Sequence, residues 1–141
     1  MKDEVHSKVR VLVVDDEPGI LKILGIELKI SGYEAITTTS GEEAIELVRT
    51  QKPDIVLLDV VMPGITGLEV LERVRSFSRV PVIIFSGHPT IINLAMKLGA
   101  DECITKPFDP DLLIAKIRLV LNPHFISKGR NGIKENNPPR G

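Results

Sequence analysis

The chain has 141 residues, 43% of them hydrophobic, which is enough apolar material for one domain of ordinary size but leaves no room for a second. Eighteen basic and nineteen acidic side chains give a formal charge of -1. The chain therefore lacks the net positive charge that would favour binding to nucleic acid or to a membrane surface. The single cysteine cannot form an internal disulfide, the first residues lack a signal-peptide core, and no apolar run approaches the roughly 20 residues that span a bilayer. We therefore expect a protein of the reducing cytoplasm.

Apolar spacing and helix-start signals define the first two strand–helix units. An apolar run near residues 9–14 precedes a helix that begins at Pro18, which suits a first helical position, and that ends before Gly32. In residues 33–38, apolar and polar side chains alternate weakly, which predicts a second strand. The segment Ser40-Gly-Glu-Glu43 then has the capping-box form that starts a helix.

The third and fourth units repeat this alternation. The third strand ends at Asp59, and Thr66-Gly-Leu-Glu69 is a second capping box that opens the next helix. The fourth strand begins near Val80. The helix after it is predicted to present one apolar face, formed by Ile91, Leu94, Ala95 and Leu98. Gly99 suits the left-handed turn that closes such a helix.

The fifth unit completes the fold and precedes a polar tail. A strand near residues 102–105 leads to Asp109-Pro110, which opens the last helix. The buried stripe of that helix is predicted to contain Leu113, Ile117, Val120 and Leu121. Residues 123–141 are rich in Gly, Asn, Pro and basic side chains, which predicts a disordered tail or linker. With residues 1–8 as an N-terminal extension, residues 9–122 form one α/β domain on a doubly wound, five-stranded parallel sheet of (βα)5 form.

Chemically versatile side chains follow the apolar strands. Asp15-Asp16 follow the first strand and Asp59 ends the third, while Ser86 ends the fourth and Lys106 follows the fifth. The carboxyl ends of parallel strands meet at one edge of the sheet, where open α/β folds keep their active sites. Three carboxylates, a hydroxyl and an ammonium at that edge indicate a divalent cation and a phosphoryl group.

Each of these residues also has a purely structural interpretation. Asp15 or Asp16 could cap the first helix, Asp59 and Ser86 could form turns, and Lys106 could be an ordinary solvated lysine. Two adjacent carboxylates repel each other, however, and bound Mg²⁺ would remove that cost. A carboxylate can accept a phosphoryl group when a cation neutralises the phosphate and an ammonium holds its oxygens. We therefore favour the chemical interpretation.

Several short segments match a known family in order and spacing. They are Val11-Leu-Val-Val-Asp-Asp-Glu-Pro18, Asp59-Val-Val-Met-Pro-Gly-Ile-Thr-Gly-Leu-Glu69, Ser86, Lys97-Leu-Gly-Ala-Asp101 and Thr105-Lys-Pro-Phe108. Over residues 9–121 the chain resembles the receiver domains of two-component response regulators. The resemblance implies a flavodoxin-like receiver fold and a signalling module that catalyses only its own phosphorylation and dephosphorylation. Its implied partners are a sensor histidine kinase or phosphotransfer protein and a downstream protein target, and a homodimer stays open.

The resemblance also implies a role for each acidic residue. Asp59 would accept the phosphoryl group. Asp16 and the backbone carbonyl of Val61 would bind Mg²⁺ directly together with Asp59, whereas Asp15 would act largely through a metal-bound water. Phosphorylation would then shift a pre-existing equilibrium between two conformations.

The remaining site residues would hold or modulate the phosphoryl group. Lys106 would contact the phosphate, the Ser86 hydroxyl would move to bond it, and family members often have a cis bond before the proline that matches Pro107. Val61 and His88 would flank the approach of water to the phosphate. Cys103 stands where many relatives have an aromatic switch residue, and we interpret it as a half-buried small hydrophobe with no redox role.

Two other classes of protein are compatible with an aspartate after a parallel strand. A phosphatase of the dehalogenase-like type forms an aspartyl phosphate, but it carries a second aspartate two positions after the nucleophile, where this chain has Val61. A purely structural receiver that never takes phosphate would lack at least one site residue, and none is missing. The signalling module is therefore our main hypothesis.

Overall fold

The computed structural model describes residues 8–122, in which five strands alternate with five helices. The strands are β1 (Arg10–Val14), β2 (Glu34–Thr38), β3 (Ile55–Asp59), β4 (Val82–Ser86) and β5 (Glu102–Thr105). The helices are α1 (Pro18–Ile30), α2 (Gly41–Gln51), α3 (Gly67–Arg75), α4 (Pro89–Lys97) and α5 (Pro110–Leu121). The predicted tail over 123–141 and the extension before residue 8 lie outside the described residues, so the domain bounds stay predictions.

All five strands are parallel and form one sheet in the order β2-β1-β3-β4-β5. β1 lies next to the edge strand β2, and after β2 the chain crosses back to the central strand β3 and continues through β4 to the other edge at β5. This arrangement is the predicted doubly wound, flavodoxin-like fold. The strand order reverses between β1 and β3, and the crevice at such a point is where this fold binds ligands.

Two hydrophobic cores cover the two faces of the sheet. Along β1, the side chains of Val11 and Val13 enter the core beneath α1 and α5, whereas Leu12 and Val14 enter the core beneath α2 and α3. These four side chains are completely buried. Burial on both faces explains why the central strands read as unbroken aliphatic runs in the sequence.

Three details differ from the sequence prediction. Leu94 was assigned to the buried face of α4, but it is 46% exposed, and the buried residues of that helix are Ile92 and Ala95. The spacing fits either set, and α4 covers the margin of the sheet with only a narrow stripe. In α5, burial at the end of the helix falls short of the prediction, because Val120 and Leu121 are only half-buried.

The third difference concerns the start of β4, which begins at Val82 and not near Val80. Pro81 lacks an amide hydrogen and cannot donate to a sheet ladder. The carbonyl of Val80 instead accepts from Nη1 of Arg75 at 2.8 Å. In the described part of the chain, no helix combines the length and the apolar character needed to cross a membrane.

Candidate functional site

The carboxyl ends of β1 and β3 bring three aspartates into one cluster. Val14 and Leu58 are partners in the sheet register, so the residues that follow them, Asp15 and Asp59, emerge side by side. One carboxylate oxygen each from Asp15, Asp16 and Asp59 lies within 4.8 Å of the others. Asp15 and Asp59 are buried and Asp16 is half-buried, so Asp16 is the member of the cluster most exposed to solvent.

An ammonium group that follows the edge strand β5 closes one side of this cluster. Nζ of Lys106, just after β5, lies 3.3 Å from Oδ1 of Asp59 and 3.5 Å from Oδ2 of Asp15. It also lies 5.0 Å from the centroid of the buried Phe85 ring, a cation–π distance. The Lys106-Pro107 peptide bond is cis, as the resemblance implied.

Asp15 is held at its backbone and at both carboxylate oxygens. Its N–H donates to the carbonyl of Thr38 at 3.2 Å, and its Oδ1 accepts from the N–H of Glu17 at 2.8 Å. With Oδ2 facing Lys106 and the side chain completely buried, Asp15 has little freedom to change orientation. A ligand held by Asp15 would therefore be bound by a preformed group.

Burial raises the pKa of the Asp59 carboxyl above its usual 3.8, and the nearby Asp15 carboxylate raises it further. The Lys106 ammonium and the N–H of Val61, which donates to the Asp59 carboxylate, act in the opposite direction but do not cancel the rise. The folded protein thus holds one carboxylate at a site where negative charge is unfavourable. A cation bound there would offset both the cost of burying the charge and the repulsion from Asp15.

The cluster opens into a cavity of about 340 Å³. Its walls are Asp16, Glu17, Asp59, Val61, Ser86, Gly87, His88 and Lys106. Ser86 is buried, and its Oγ accepts from the N–H of His88 at 3.0 Å, which leaves the hydroxyl hydrogen free to donate into the cavity. His88 and Val61 are exposed at the rim. The structure therefore brings together every predicted site residue except Pro107 and Cys103.

The comparisons with known proteins agree with this geometry. The model of the response regulator receiver domain matches residues 11–118. The chain belongs to this family. Receiver domains are parts of the response regulators of two-component systems.

Relatives of known structure share the fold of this receiver domain. A CheY-like receiver domain protein from Methanospirillum hungatei is 27% identical with a TM-score of 0.79, and the match covers 86% of this chain and 99% of the other. The chemotaxis protein CheY4 of Vibrio cholerae is 30% identical with a TM-score of 0.75, over 82% of this chain and all of the other (100%).

A longer curated relative is also similar. The probable transcriptional regulator ycf27 of Guillardia theta is 40% identical over 120 residues. The match covers 84% of this chain but only 47% of the relative, so the chain spans about half the length of that protein.

Close backbone packing behind the end of β3 depends on a glycine. A Cβ atom on Gly67, the first residue of α3, would lie 2.6 Å from Cα of Val60 and closer still to the carbonyl oxygen of Asp59. Because these neighbours are backbone atoms, they cannot move aside without displacing the chain at Asp59 and Val60. Gly67 therefore lets α3 start directly behind Asp59.

Cys103 lies outside this cavity, half-buried on β5 beside an ion pair. The Glu102 carboxylate accepts from Nζ of Lys116 at 3.1 Å, and burial together with Glu102 raises the pKa of the Cys103 thiol. A raised thiol pKa lowers the fraction of reactive thiolate. The environment therefore favours the interpretation of Cys103 as a small packing residue.

Sequence reasoning missed two residues that contribute to the site. Glu17 lines the cavity, and its position directly after Asp15-Asp16 was a usable signal. Phe85 forms an edge-to-face contact with Phe108 at 5.7 Å and underlies the Lys106 ammonium. No sequence pattern indicated this contact, because an aromatic residue in a buried strand reads simply as core.

Proposed function

We propose that this receiver domain accepts a phosphoryl group on Asp59, with Mg²⁺ bound beside it, from a phosphohistidine of a sensor histidine kinase or phosphotransfer protein. The phosphorylated state then changes binding to a downstream protein target. The observation that carries the proposal is the surroundings of the Asp59 carboxylate: the Lys106 ammonium lies 3.3 Å away, and Asp15 and Asp16 complete a cluster of three carboxylates.

The donor set fits a magnesium ion. Mg²⁺ prefers oxygen ligands, keeps several waters, and is commonly bound by one or two carboxylates together with phosphate oxygens. Asp16, Asp59 and the backbone carbonyl of Val61 would hold it directly, and the buried Asp15 would act through a bound water. When bound, the ion neutralises charge on the incoming phosphate.

The transfer step uses the chain's own groups. An oxygen of Asp59 attacks the phosphorus, the P–N bond to the donor histidine breaks, and the imidazole leaves with the bonding electron pair. The product is an acyl phosphate on Asp59. Lys106 and the hydroxyl of Ser86 donate to the phosphoryl oxygens, because the ammonium and the free hydroxyl hydrogen both face the cavity.

Residues at the rim modulate how long the phosphate persists. Val61 is 58% exposed and lines the cavity, but its apolar side chain cannot orient a water for attack on the acyl phosphate. His88 lines the other side of the mouth. In our proposal, Cys103 and the segment around His88 shape the partner surface, and Pro107 fixes the loop that carries Lys106.

Two alternatives are weaker. A phosphatase would need an acid or base two positions after the acceptor, and Val61 offers neither. A structural receiver without phosphorylation would not need the complete set of an acceptor, two further carboxylates, a hydroxyl and an ammonium around one cavity. The cytoplasmic location and a homodimer stay predictions.

A metal titration tests the proposal and separates it from the alternatives. Wild-type protein should bind Mg²⁺ weakly by calorimetry, and Asp16→Ala should lose most of that binding. Glu72→Ala, which removes an exposed carboxylate on α3, is the matched control and should bind as wild type does. Unchanged affinity in Asp16→Ala would contradict the metal site. Sustained turnover of p-nitrophenyl phosphate by the wild type would favour the phosphatase.

A further inference from the structure

A buried threonine hydroxyl fastens the end of β2 to the start of α2. Thr38 is the last residue of β2 and is 4% exposed. Its Oγ1 donates to the carboxylate of Glu43 and accepts from the N–H of Ser40 at 3.0 Å. The hydroxyl is thus used as donor and acceptor at once, and both partners belong to the first turn of α2 or its cap.

The two capping sequences of this chain show what is unusual about this contact. In α3 the box is reciprocal: Thr66 Oγ1 accepts from the N–H of Glu69 at 3.2 Å, and the Glu69 carboxylate accepts from the N–H of Thr66 at 3.0 Å. In α2 only the first half forms, with Ser40 Oγ accepting from the N–H of Glu43 at 3.1 Å.

The second half of the α2 box passes through Thr38. The N–H of Ser40 donates to the threonine hydroxyl, and the hydroxyl donates to the Glu43 carboxylate, so a residue of the preceding strand is inserted into the cap. The α3 cap forms without such an insertion. The Thr38 hydroxyl is therefore an added link, which ties the end of β2 to the start of α2.

The backbone of Thr38 is hydrogen-bonded to Asp15, the first residue of the acidic cluster. The carbonyl of Thr38 accepts from the N–H of Asp15 at 3.2 Å. Thr38 is the sheet partner of Val14, the residue just before Asp15. We propose that Thr38, held by Glu43, is a positioning residue for Asp15 and so for the metal-binding carboxylates. This inference rests on the proposed function, since it assigns Thr38 a part in preparing the same metal site.

The physical basis is the restricted freedom of the strand end. Thr38 is the last residue of an edge strand, so β1 is its single neighbour in the sheet and it receives no support from a second strand. Its hydroxyl supplies that support from α2. Groups that orient a metal ligand through hydrogen bonds typically change metal affinity about 10–100-fold when they are removed. We expect the effect of Thr38 at the lower end, because it acts through the Asp15 backbone.

Amide exchange measured without metal tests the positioning directly. In metal-free protein followed by NMR, the Asp15 amide hydrogen should exchange faster in Thr38→Val than in the wild type. Thr38→Ser keeps the hydroxyl and should restore protection. Glu43→Ala removes the acceptor of the Thr38 hydroxyl at an exposed position, and it should also speed exchange of the Asp15 amide. This variant provides the test in case Thr38→Val folds poorly. Glu43→Gln keeps an acceptor oxygen and should resemble the wild type.

A core variant separates positioning from simple loss of stability. Ile45→Val trims a buried methyl group from α2 without touching the hydrogen bonds of Thr38. It should leave both Asp15 exchange and Mg²⁺ affinity close to wild type at a temperature where all variants are folded. In the same samples, Thr38→Val should weaken Mg²⁺ binding about tenfold, and Thr38→Ser should not.

Two results would overturn this inference and leave the proposed function intact. One is wild-type Mg²⁺ affinity and wild-type Asp15 exchange in Thr38→Val or Glu43→Ala. The other is an equal loss in Ile45→Val, which would make the effect one of general stability. Failure of the wild type to bind Mg²⁺ at all would overturn the proposed function together with this inference.

Discussion

Nζ of Lys106 lies 3.3 Å from the carboxylate of Asp59, although Asp59 ends the central strand β3 and Lys106 follows the edge strand β5. The same ammonium also faces Asp15 at 3.5 Å, so a single positive charge serves two buried carboxylates. One ammonium leaves the cluster with net negative charge when Asp16 is counted. That remaining negative charge would favour a bound cation, and the Lys106 ammonium would compete with it for Asp15 and Asp59.

Replacement of this lysine should weaken the fold and strengthen metal binding. Lys106→Met leaves two buried carboxylates without their ammonium, and an unsatisfied buried partner costs about 1–3 kcal/mol. The variant should lose about that much free energy of unfolding in EDTA, measured with urea. Because the competing positive charge is gone, Mg²⁺ should bind the variant more tightly than the wild type. Equal affinity would show that Lys106 and the metal do not share the cluster.

The stability of the metal-free protein should depend on pH through Asp59. Burial raises the pKa of this carboxyl, so the folded state holds its proton more tightly than the unfolded chain does. As pH rises above 3.8 the unfolded chain loses its proton first, and stability falls until the folded carboxyl has also ionised. Asp59→Asn removes this penalty and should be more stable than the wild type at neutral pH.

The gain in Asp59→Asn should shrink as pH falls below 3.8, where Asp59 is protonated in both states. Urea unfolding of both proteins in EDTA at neutral and acidic pH measures the difference. A gain that is independent of pH would mean that the asparagine stabilises the site by packing and not by loss of charge.

A matched pair of glycine variants tests the close packing behind Asp59. Gly67→Ala places a methyl group against the Asp59 and Val60 backbone and should cost about 1–3 kcal/mol or more, as overpacking does. Gly25→Ala, in the middle of α1, meets no atom within 4 Å and should stabilise the protein by about 0.4–1 kcal/mol. Thermal unfolding of both checks the prediction, and similar effects of the two changes would contradict it.

The lifetime of the phosphorylated state should depend on Val61. A polar side chain there can orient an attacking water, so Val61→Asn should lose its phosphate faster than the wild type. Phosphate decay after removal of the donor, followed by intact mass, measures both rates. Equal rates, or slower decay in the variant, would mean that Val61 does not gate water and that His88 is the residue to examine.

The sequence predicted most of the fold and the cluster, for reasons that particular residues make clear. Asp15, Asp59 and Ser86 each end or follow an unbroken aliphatic run, and parallel strands necessarily bring such ends to one edge. The exposure of Leu94 was not predictable, because helical spacing does not say which of two apolar faces meets the sheet. The contact between Thr38 and Glu43 was hidden as well, since a threonine in a weak strand carries no mark of its hydrogen-bond partner.

Phosphorylation by a small donor is the most direct test of the central claim. Wild-type protein incubated with acetyl phosphate should gain the mass of one phosphoryl group in the presence of Mg²⁺ and none in EDTA. Peptide mapping should place the group on Asp59, and Asp59→Asn should gain none. Undiminished labelling of Asp59→Asn, a phosphate mapped to Ser86, or no labelling of the wild type with Mg²⁺ present would contradict the claim that Asp59 is the phosphoryl acceptor.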